Sequence, residues 1–185
     1  MQHIRPKTTE WFTYFPEDYR WSAAIGGMLG LAVVGASDMG EIDRTARKLK
    51  NKLGDDEAWF FTWQELGDEL KQKADDCRNR GHTISASVFY LRASCYYQWG
   101  ERFRTVKDDH ALNVYRKSVE CFHEHAQLSI SPKIEIVEVP YEGNFLPGYF
   151  VHAENTKKSK NPTMIFFDGL DITKELQYAR GVPEL

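Results

Sequence analysis

The chain contains 185 residues, which is enough for one domain or for a small domain with part of another. Its 42% hydrophobic and 14% aromatic residues are typical of a globular protein and argue against a disordered one. A net charge of −3 provides no basic stripe of the kind that nucleic-acid binding needs, so we expect no nucleic-acid partner.

Cysteine use and hydropathy indicate where the protein works. Cys77, Cys95 and Cys121 are widely spaced and odd in number, which predicts reduced thiols rather than disulfides or a metal site. The most apolar stretch, residues 23–36, is too short to cross a bilayer and too far from the first residue for a signal peptide. We therefore predict a cytoplasmic protein with no membrane partner and no bound metal.

The first twenty residues are rich in aromatic side chains and are interrupted by Pro6 and Pro16. Such a segment is typical of an arm that packs across another surface of the same protein. The alternative is an apolar dock for a partner chain.

Helical patterns then extend from about residue 17 to residue 128. Apolar residues recur at spacings of three and four, and acidic or small polar residues precede several of these runs. Glycines at 54 and 81 provide stops. The patterns predict helices over residues 18–34, 41–53, about 55–80, 84–99 and 108–128.

Two motifs in this region resemble a catalytic or a metal site, but neither has the residues at the spacing that such a site needs. The run from Gly35 to Gly40 has Met39 where a serine nucleophile elbow needs a second glycine, so Ser37 and Asp38 are better interpreted as a helix cap. His123 and His125 are two residues apart and lie on different faces of the predicted helix. We therefore expect no shared metal between them.

Beyond Pro132 the hydrophobic period changes from helix to strand. Residues 134–139 alternate between apolar and polar, residues 142–144 form a turn, and residues 145–151 return as the partner strand. A short apolar run, 163–167, then predicts a strand buried on both faces, with residues 165–167 in the sheet interior. A turn at 168–171 leads into a helix that Thr173 begins.

The segment from Phe167 to Glu175, Phe-Asp-Gly-Leu-Asp-Ile-Thr-Lys-Glu, resembles the first oxyanion-loop motif of a branch of the α/β hydrolases. That branch includes dihydropseudooxynicotine hydrolase, the fungal pigment hydrolases that shorten polyketides, and the FrsA-like proteins. Residues 139–143 and 146–150 resemble the paired-strand motif that precedes this loop in the family. Residues 81–97 resemble the helical cap that closes over the active site.

The resemblance implies an α/β fold with a helical cap over residues 1–132. Residues 133–185 would form the first part of the hydrolase core: a hairpin, one central strand, the oxyanion loop and the start of a helix. It also implies a serine-dependent hydrolase, without cofactor or metal. Such an enzyme would act on C–C bonds beside carbonyls or on esters, in small molecules resembling polyketides or aromatic ketones.

The same resemblance assigns the site residues. The amide of Leu170, placed by Gly169, would be one of the two oxyanion donors. Asp168 and Asp171 would flank it as substrate-binding residues, with Asp171 and Thr173 capping the next helix rather than acting as acid catalysts. The alternative is that Gly169 serves only a tight turn.

The sequence after this loop contains no nucleophile elbow followed by an acid and a histidine. Three interpretations follow: the N-terminal part of a hydrolase whose nucleophile lies outside the chain, a non-catalytic helical interaction module, or a complete small enzyme of unfamiliar chemistry. The first predicts a chain that is inactive alone. It also predicts that the hydrolase remainder, a second chain or a copy in a homo-oligomer completes the sheet.

Overall fold

The computed structural model describes residues 12–154, 156, 160–167, 169 and 171–181. In this part of the chain the helices come first and a hairpin follows, as predicted. The α-helices are α1 (Tyr19–Gly30), α2 (Met39–Arg47), α3 (Asp56–Asn79), α4 (Thr83–Glu101), α5 (Asp109–Leu128) and α6 (Lys174–Ala179). A 3-10 helix (Leu31–Val34) extends α1, and the strands are β1 (Ile134–Tyr141) and β2 (Asn144–Val151).

Aspartates begin four of the five large helices. The side chains of Asp18, Asp38, Asp55 and Asp108 each accept a hydrogen bond from a backbone N–H three residues further on, which satisfies a donor that the helix leaves free. The predicted cap at Asp38 is thus confirmed. Helix α2 is shorter than predicted, because it ends at Arg47 and the chain then forms turns as far as the left-handed Gly54.

Helices α3, α4 and α5 form the main packing unit. The largest side chains in this unit, together with Trp21 of α1 that packs on Trp59, are aromatic and fully buried: Trp59, Trp63, Tyr96, Tyr97, Phe60 and Phe122. The indole of Trp59 donates a hydrogen bond to the carbonyl of Trp99 at 2.9 Å, which joins α3 to α4. Because these rings fill the core, their periodicity reflects packing rather than a substrate cavity.

The described part of the N-terminal segment packs onto this unit. The ring of Phe15 is buried, and the hydroxyl of Tyr14 donates a hydrogen bond of 2.6 Å to the carboxylate of Asp43 on α2. These contacts fit the predicted arm over residues 12–18. Residues 1–11 lie outside the described residues.

Strands β1 and β2 form an antiparallel hairpin in which Ile134 pairs with Val151 and Tyr141 pairs with Asn144. Glu142 and Gly143 connect them, both with positive φ, as a tight two-residue turn requires. The predicted pair of strands and its turn are therefore confirmed.

The predicted strand over residues 163–167 is wrong for this structure. The described residues there form no strand, and Met164, Ile165 and Phe167 are 67%, 73% and 89% exposed. A strand buried on both faces needs neighbours that pair with its backbone groups. Among the described residues β1 and β2 pair only with each other, so neither strand pairs with the backbone of residues 163–167.

An aromatic cluster is one of the contacts that attach the hairpin and α6 to the helices. The ring of Phe122 on α5 lies 4.5 Å from that of Tyr149 on β2 and 5.2 Å from that of Tyr178 on α6. The helix-to-strand change falls where the sequence indicates, while the division into domains at residue 132 stays a prediction. None of the described helices is long and apolar enough to cross a membrane.

Candidate functional site

The turn before α6 is where the sequence places the oxyanion donor. Gly169 is exposed, and its carbonyl accepts a hydrogen bond from the N–H of Ile172 at 3.4 Å. A Cβ added at Gly169 would meet nothing within 4 Å. The predicted site residues Gly169 and Asp171 therefore lie in one turn at the surface. Asp168 and Leu170 are outside the described residues.

Helix α4 holds this turn from one side. The guanidinium of Arg102, one residue beyond α4, donates a hydrogen bond of 3.0 Å to the carbonyl of Asp171. Its second terminal nitrogen lies 3.7 Å from the Asp171 carboxylate, which is 68% exposed. Asp171 is thus anchored mainly through its backbone. Its carboxylate faces solvent, where an ion pair contributes little.

Thr173 connects the turn to α4 a second time. Its hydroxyl donates a hydrogen bond to the side-chain oxygen of Gln98. The same oxygen of Thr173 accepts from the N–H of Leu176 at 3.4 Å, which caps α6. The predicted role of Thr173 in beginning the helix is therefore confirmed, and Gln98 fixes its orientation.

A buried carboxylate lies directly behind the turn. Glu175 has no exposed surface, and its carboxylate accepts hydrogen bonds from the Tyr149 hydroxyl at 2.6 Å and from the Gln98 amide at 3.4 Å. The ammonium of Lys174 lies 2.8 Å away and 5.3 Å from the centre of the Tyr149 ring. Gln98 also donates to the hydroxyl of Ser118 at 3.1 Å. The group thus joins α4, α5, β2 and α6.

The electrostatics keep Glu175 ionised. Burial raises the pKa of its carboxyl, but the hydrogen bonds from Lys174 and Tyr149 outweigh burial and leave the pKa below its ordinary value. The pKa of the Tyr149 phenol is raised, first by burial and then by the Glu175 charge. The pair therefore consists of a neutral tyrosine that donates and a carboxylate that accepts.

Sequence reasoning did not assign a role to Glu175, although it ends the oxyanion-loop motif. Its partners Tyr149 and Gln98 are 26 and 77 residues away along the chain, and Gln98 carries no local signal at all. The only available sign was an acid in the first turn of a helix, which usually indicates a dipole contact at the surface.

A buried serine–histidine pair was also missed, but its burial and contacts argue against a nucleophile. Among the described residues, Nδ1 of His125 lies 2.9 Å from the Ser87 hydroxyl oxygen and 3.1 Å from the Ser87 carbonyl oxygen. A carbonyl can only accept, so the hydrogen bond to the Ser87 carbonyl needs the proton on Nδ1, and in that tautomer Nδ1 cannot take a proton from the serine. Burial lowers the pKa of His125, and its Nε2 has no hydrogen-bond partner. The pair belongs to the core.

The other potential nucleophiles in the described residues are also structural. The Ser37 hydroxyl is buried and donates to the carbonyl of Met28 at 2.6 Å. Burial raises the pKa of both the Cys95 and Cys121 thiols to about 12, so they are not thiolates at neutral pH. Within the described part of the chain, no group of three His, Cys, Asp or Glu side chains is placed to hold a metal ion.

An open groove of about 580 Å³ lies between α3, α4 and α5. Its charged groups satisfy one another, since the Asp75 carboxylate accepts from Lys71 at 2.8 Å and from Tyr90 at 2.6 Å. None of its lining residues belongs to the turn at Gly169. The lining residues are Lys71, Asp75, Arg78, Asn79, Tyr90, Glu120, Cys121 and Glu124.

No family model matches the sequence, but individual proteins do. The hydrolase acrC of Aspergillus aculeatus is 27% identical over 184 residues, covering 92% of this chain and 42% of that protein. The α/β hydrolase ucsC of an Acremonium species is 26% identical, covering 94% of this chain and 38% of that protein. The chain therefore spans about two fifths of the length of the curated relatives it matches.

A solved structure is similar in fold to about two thirds of this chain. The crystal structure of 2,6-dihydroxy-pseudo-oxynicotine hydrolase matches with a TM-score of 0.52 over 65% of this chain and 32% of that one, at 22% identity. At this identity the likeness concerns the fold: a helical cap followed by the first strands of an incomplete α/β-hydrolase sheet. This chain is thus similar, along most of its length, to the α/β-hydrolase branch that its cap, paired-strand and oxyanion-loop motifs indicate.

Proposed function

We propose that this chain supplies the cap, the first paired strands and one oxyanion donor of a serine-dependent α/β hydrolase. The nucleophile lies outside these 185 residues, and the chain alone is inactive. The substrates are small molecules with a C–C bond beside a carbonyl or an ester bond, of the polyketide or aromatic-ketone type. No cofactor takes part.

The observation that carries the proposal is the extent of the match. A fungal hydrolase of more than twice the length aligns with 92% of this chain. Ser37, His125 and Cys95 argue in the same direction: the Ser37 hydroxyl is hydrogen-bonded in the core, His125 faces Ser87 there, and burial keeps the Cys95 thiol protonated. The nucleophile is therefore sought elsewhere.

Exposed apolar side chains support a companion segment. The hairpin and segment 164–167 together expose Ile136, Val139, Phe145, Leu146, Phe150, Met164, Ile165, Phe166 and Phe167. Soluble proteins rarely leave so many large apolar side chains exposed without a partner. We infer that further strands, from the hydrolase remainder, a second chain or a copy in a homo-oligomer, cover them.

The chemistry requires two backbone N–H donors for the developing oxyanion. One follows the nucleophile, and the other comes from the turn after the early strand. In this chain the second donor is the amide of Leu170, with Gly169 leaving room for the substrate oxygen. Asp168 and Asp171 contact bound substrate at the rim. Three free cysteines fit a cytoplasmic location, where thiols stay reduced.

A non-catalytic interaction module is the second candidate. The same exposed apolar residues favour it, because they would serve equally to bind a different protein. The two functions differ in one respect, since only the hydrolase needs a serine that reacts with acylating and phosphonylating agents.

Labelling with a fluorophosphonate, which reacts with activated serines, separates these candidates. The 185-residue chain is expected to stay unlabelled, while a longer form that contains Gly-x-Ser-x-Gly is labelled at that serine and cleaves an aryl ester or an aryl β-diketone. The intact mass of the native protein is measured alongside, and the same sample is searched for a second polypeptide that carries the motif. Labelling of the 185-residue chain itself, or no labelling of the longer form, contradicts the proposal.

A further inference from the structure

The turn at Gly169 is tied to the helical region more firmly than to the hairpin. Arg102 holds the Asp171 carbonyl and Gln98 holds the Thr173 hydroxyl; Gln98 lies in the last turn of α4, and Arg102 directly follows that helix. From β2, Tyr149 reaches the same place through its hydrogen bond to Glu175. The position of the turn therefore depends on α4.

We propose that Gln98, Thr173 and Glu175 are positioning residues that hold the turn containing Gly169 against helix α4, so that the helical cap sets the position of the oxyanion donor. The inference rests on the proposed function for its catalytic part. Its structural part, that this group fixes the turn, stands on the contacts alone.

Glu175 is central because it is the only acceptor shared by three donors in this group. The Tyr149 hydroxyl, the Lys174 ammonium and the Gln98 amide all point at its carboxylate, which is wholly buried. Gln98 in turn accepts from Thr173 and donates to Ser118. A buried charge is tolerated only when it is paired and hydrogen-bonded in this way.

This arrangement couples movements of the helical cap to the position of the oxyanion turn. Two residues separate Thr173 from the predicted donor at Leu170, so a displacement of α4 moves the donor with it. A change in the cap, such as substrate binding, would then reach the oxyanion turn through Gln98 and Arg102. Glu175 is not a catalytic residue in this scheme, because it acts through the backbone of the turn.

Glu175→Gln tests the structural part, since the amide removes the charge and keeps only one acceptor oxygen, so an NH2 group must face either Gln98 or the pair Tyr149 and Lys174. Hydrogen exchange of the 185-residue chain is expected to become roughly tenfold faster at residues 171–176, as when a hydrogen bond to a charged group is lost. Tyr149→Phe, which keeps the ring on Phe122, gives a smaller increase at the same amides. Glu138→Gln, on the exposed part of β1, gives none.

Two results overturn the structural part. Unchanged exchange at residues 171–176 in both Glu175→Gln and Tyr149→Phe shows that the group does not hold the turn. An equal rise throughout α3, α4 and α5 shows a general stabilising role instead of a positioning one. Because Tyr149→Phe removes one hydroxyl and no charge, it remains informative if Glu175→Gln fails to fold.

Turnover in a longer form containing the nucleophile tests the catalytic part. Glu175→Gln is expected to lower kcat at least tenfold with KM within twofold, because the donor acts on the transition state. A raised KM with unchanged kcat contradicts it. If the parent longer form hydrolyses no substrate and binds no fluorophosphonate, the proposed function fails, and the exchange data still decide whether the group positions the turn.

Discussion

Helices α3 and α4 pack tightly where Gly67 faces the ring of Tyr97. A Cβ added at Gly67 would lie 2.5 Å from Cε1 and 2.6 Å from Cδ1 of that ring. The ring has no exposed surface, and its hydroxyl donates a hydrogen bond of 2.7 Å to Asp68, so it has little freedom to move away. Gly67→Ala should therefore force the two helices apart or the ring out of its rotamer.

The expected cost follows from two opposing effects. Overpacking a core typically costs about 1–3 kcal/mol, and the short contact places this site near the upper end. Replacing a helical glycine by alanine returns about 1 kcal/mol. The net loss is about 1–2 kcal/mol, which lowers the melting temperature of a domain of this size by roughly 2–8 °C.

The assay is thermal or urea unfolding of Gly67→Ala beside the parent and Gly26→Ala. Gly26 lies in α1 with nothing within 4 Å of its added Cβ, so that control should gain about 0.5–1 kcal/mol. If Gly67→Ala is as stable as the parent, or gains as much as Gly26→Ala, the close packing of α3 on α4 is refuted.

Two further predictions concern side chains that are excluded here as catalysts. Burial lowers the pKa of His125, so the unfolded chain binds a proton at a higher pH than the folded chain does. The free energy of unfolding should therefore decrease as the pH falls below about 6.5, by at most about 1.4 kcal/mol per pH unit. His125→Gln should flatten the dependence of the urea-unfolding free energy on pH between pH 7.5 and 5.5, while the exposed His82→Gln should leave that dependence unchanged. An unchanged slope in His125→Gln would count against a buried neutral imidazole. Ser37→Ala removes the bond to Met28 and should cost about 1 kcal/mol, while the exposed Ser85→Ala stays within about 0.5 kcal/mol. Loss of hydrolysis in a longer form carrying Ser37→Ala would show that Ser37 has a catalytic role after all.

Local signals were sufficient for the helices and the hairpin. Caps such as Asp38 and stops such as Gly81 depend on neighbours within one turn, and both are found in those roles, whereas Gly54 lies seven residues beyond the end of α2. The tight turn at Glu142 and Gly143 is likewise a short-range feature. The family resemblance, carried by motifs of five to nine residues, was visible for the same reason.

Features that depend on distant partners could not be predicted. The apolar run at 163–167 has the composition of a buried strand, but composition cannot show whether neighbouring strands are present, and here the run is exposed. The role of Glu175 was hidden because Gln98 and Tyr149 reach it only through the packing of α4 and β2. Asp168 and Leu170, the remaining predicted site residues, stay predictions.

The central claim is that the turn at Gly169 supplies an oxyanion donor, and Gly169→Val in a longer form containing the nucleophile tests it most directly. The φ of Gly169 lies outside the left-handed region and its added Cβ meets nothing within 4 Å, so the fold of these 185 residues should tolerate the change. We predict an unchanged melting temperature and a loss of turnover on the order of a hundred- to a thousandfold, the typical cost of one lost donor. Normal folding with turnover at the parent rate would contradict the account.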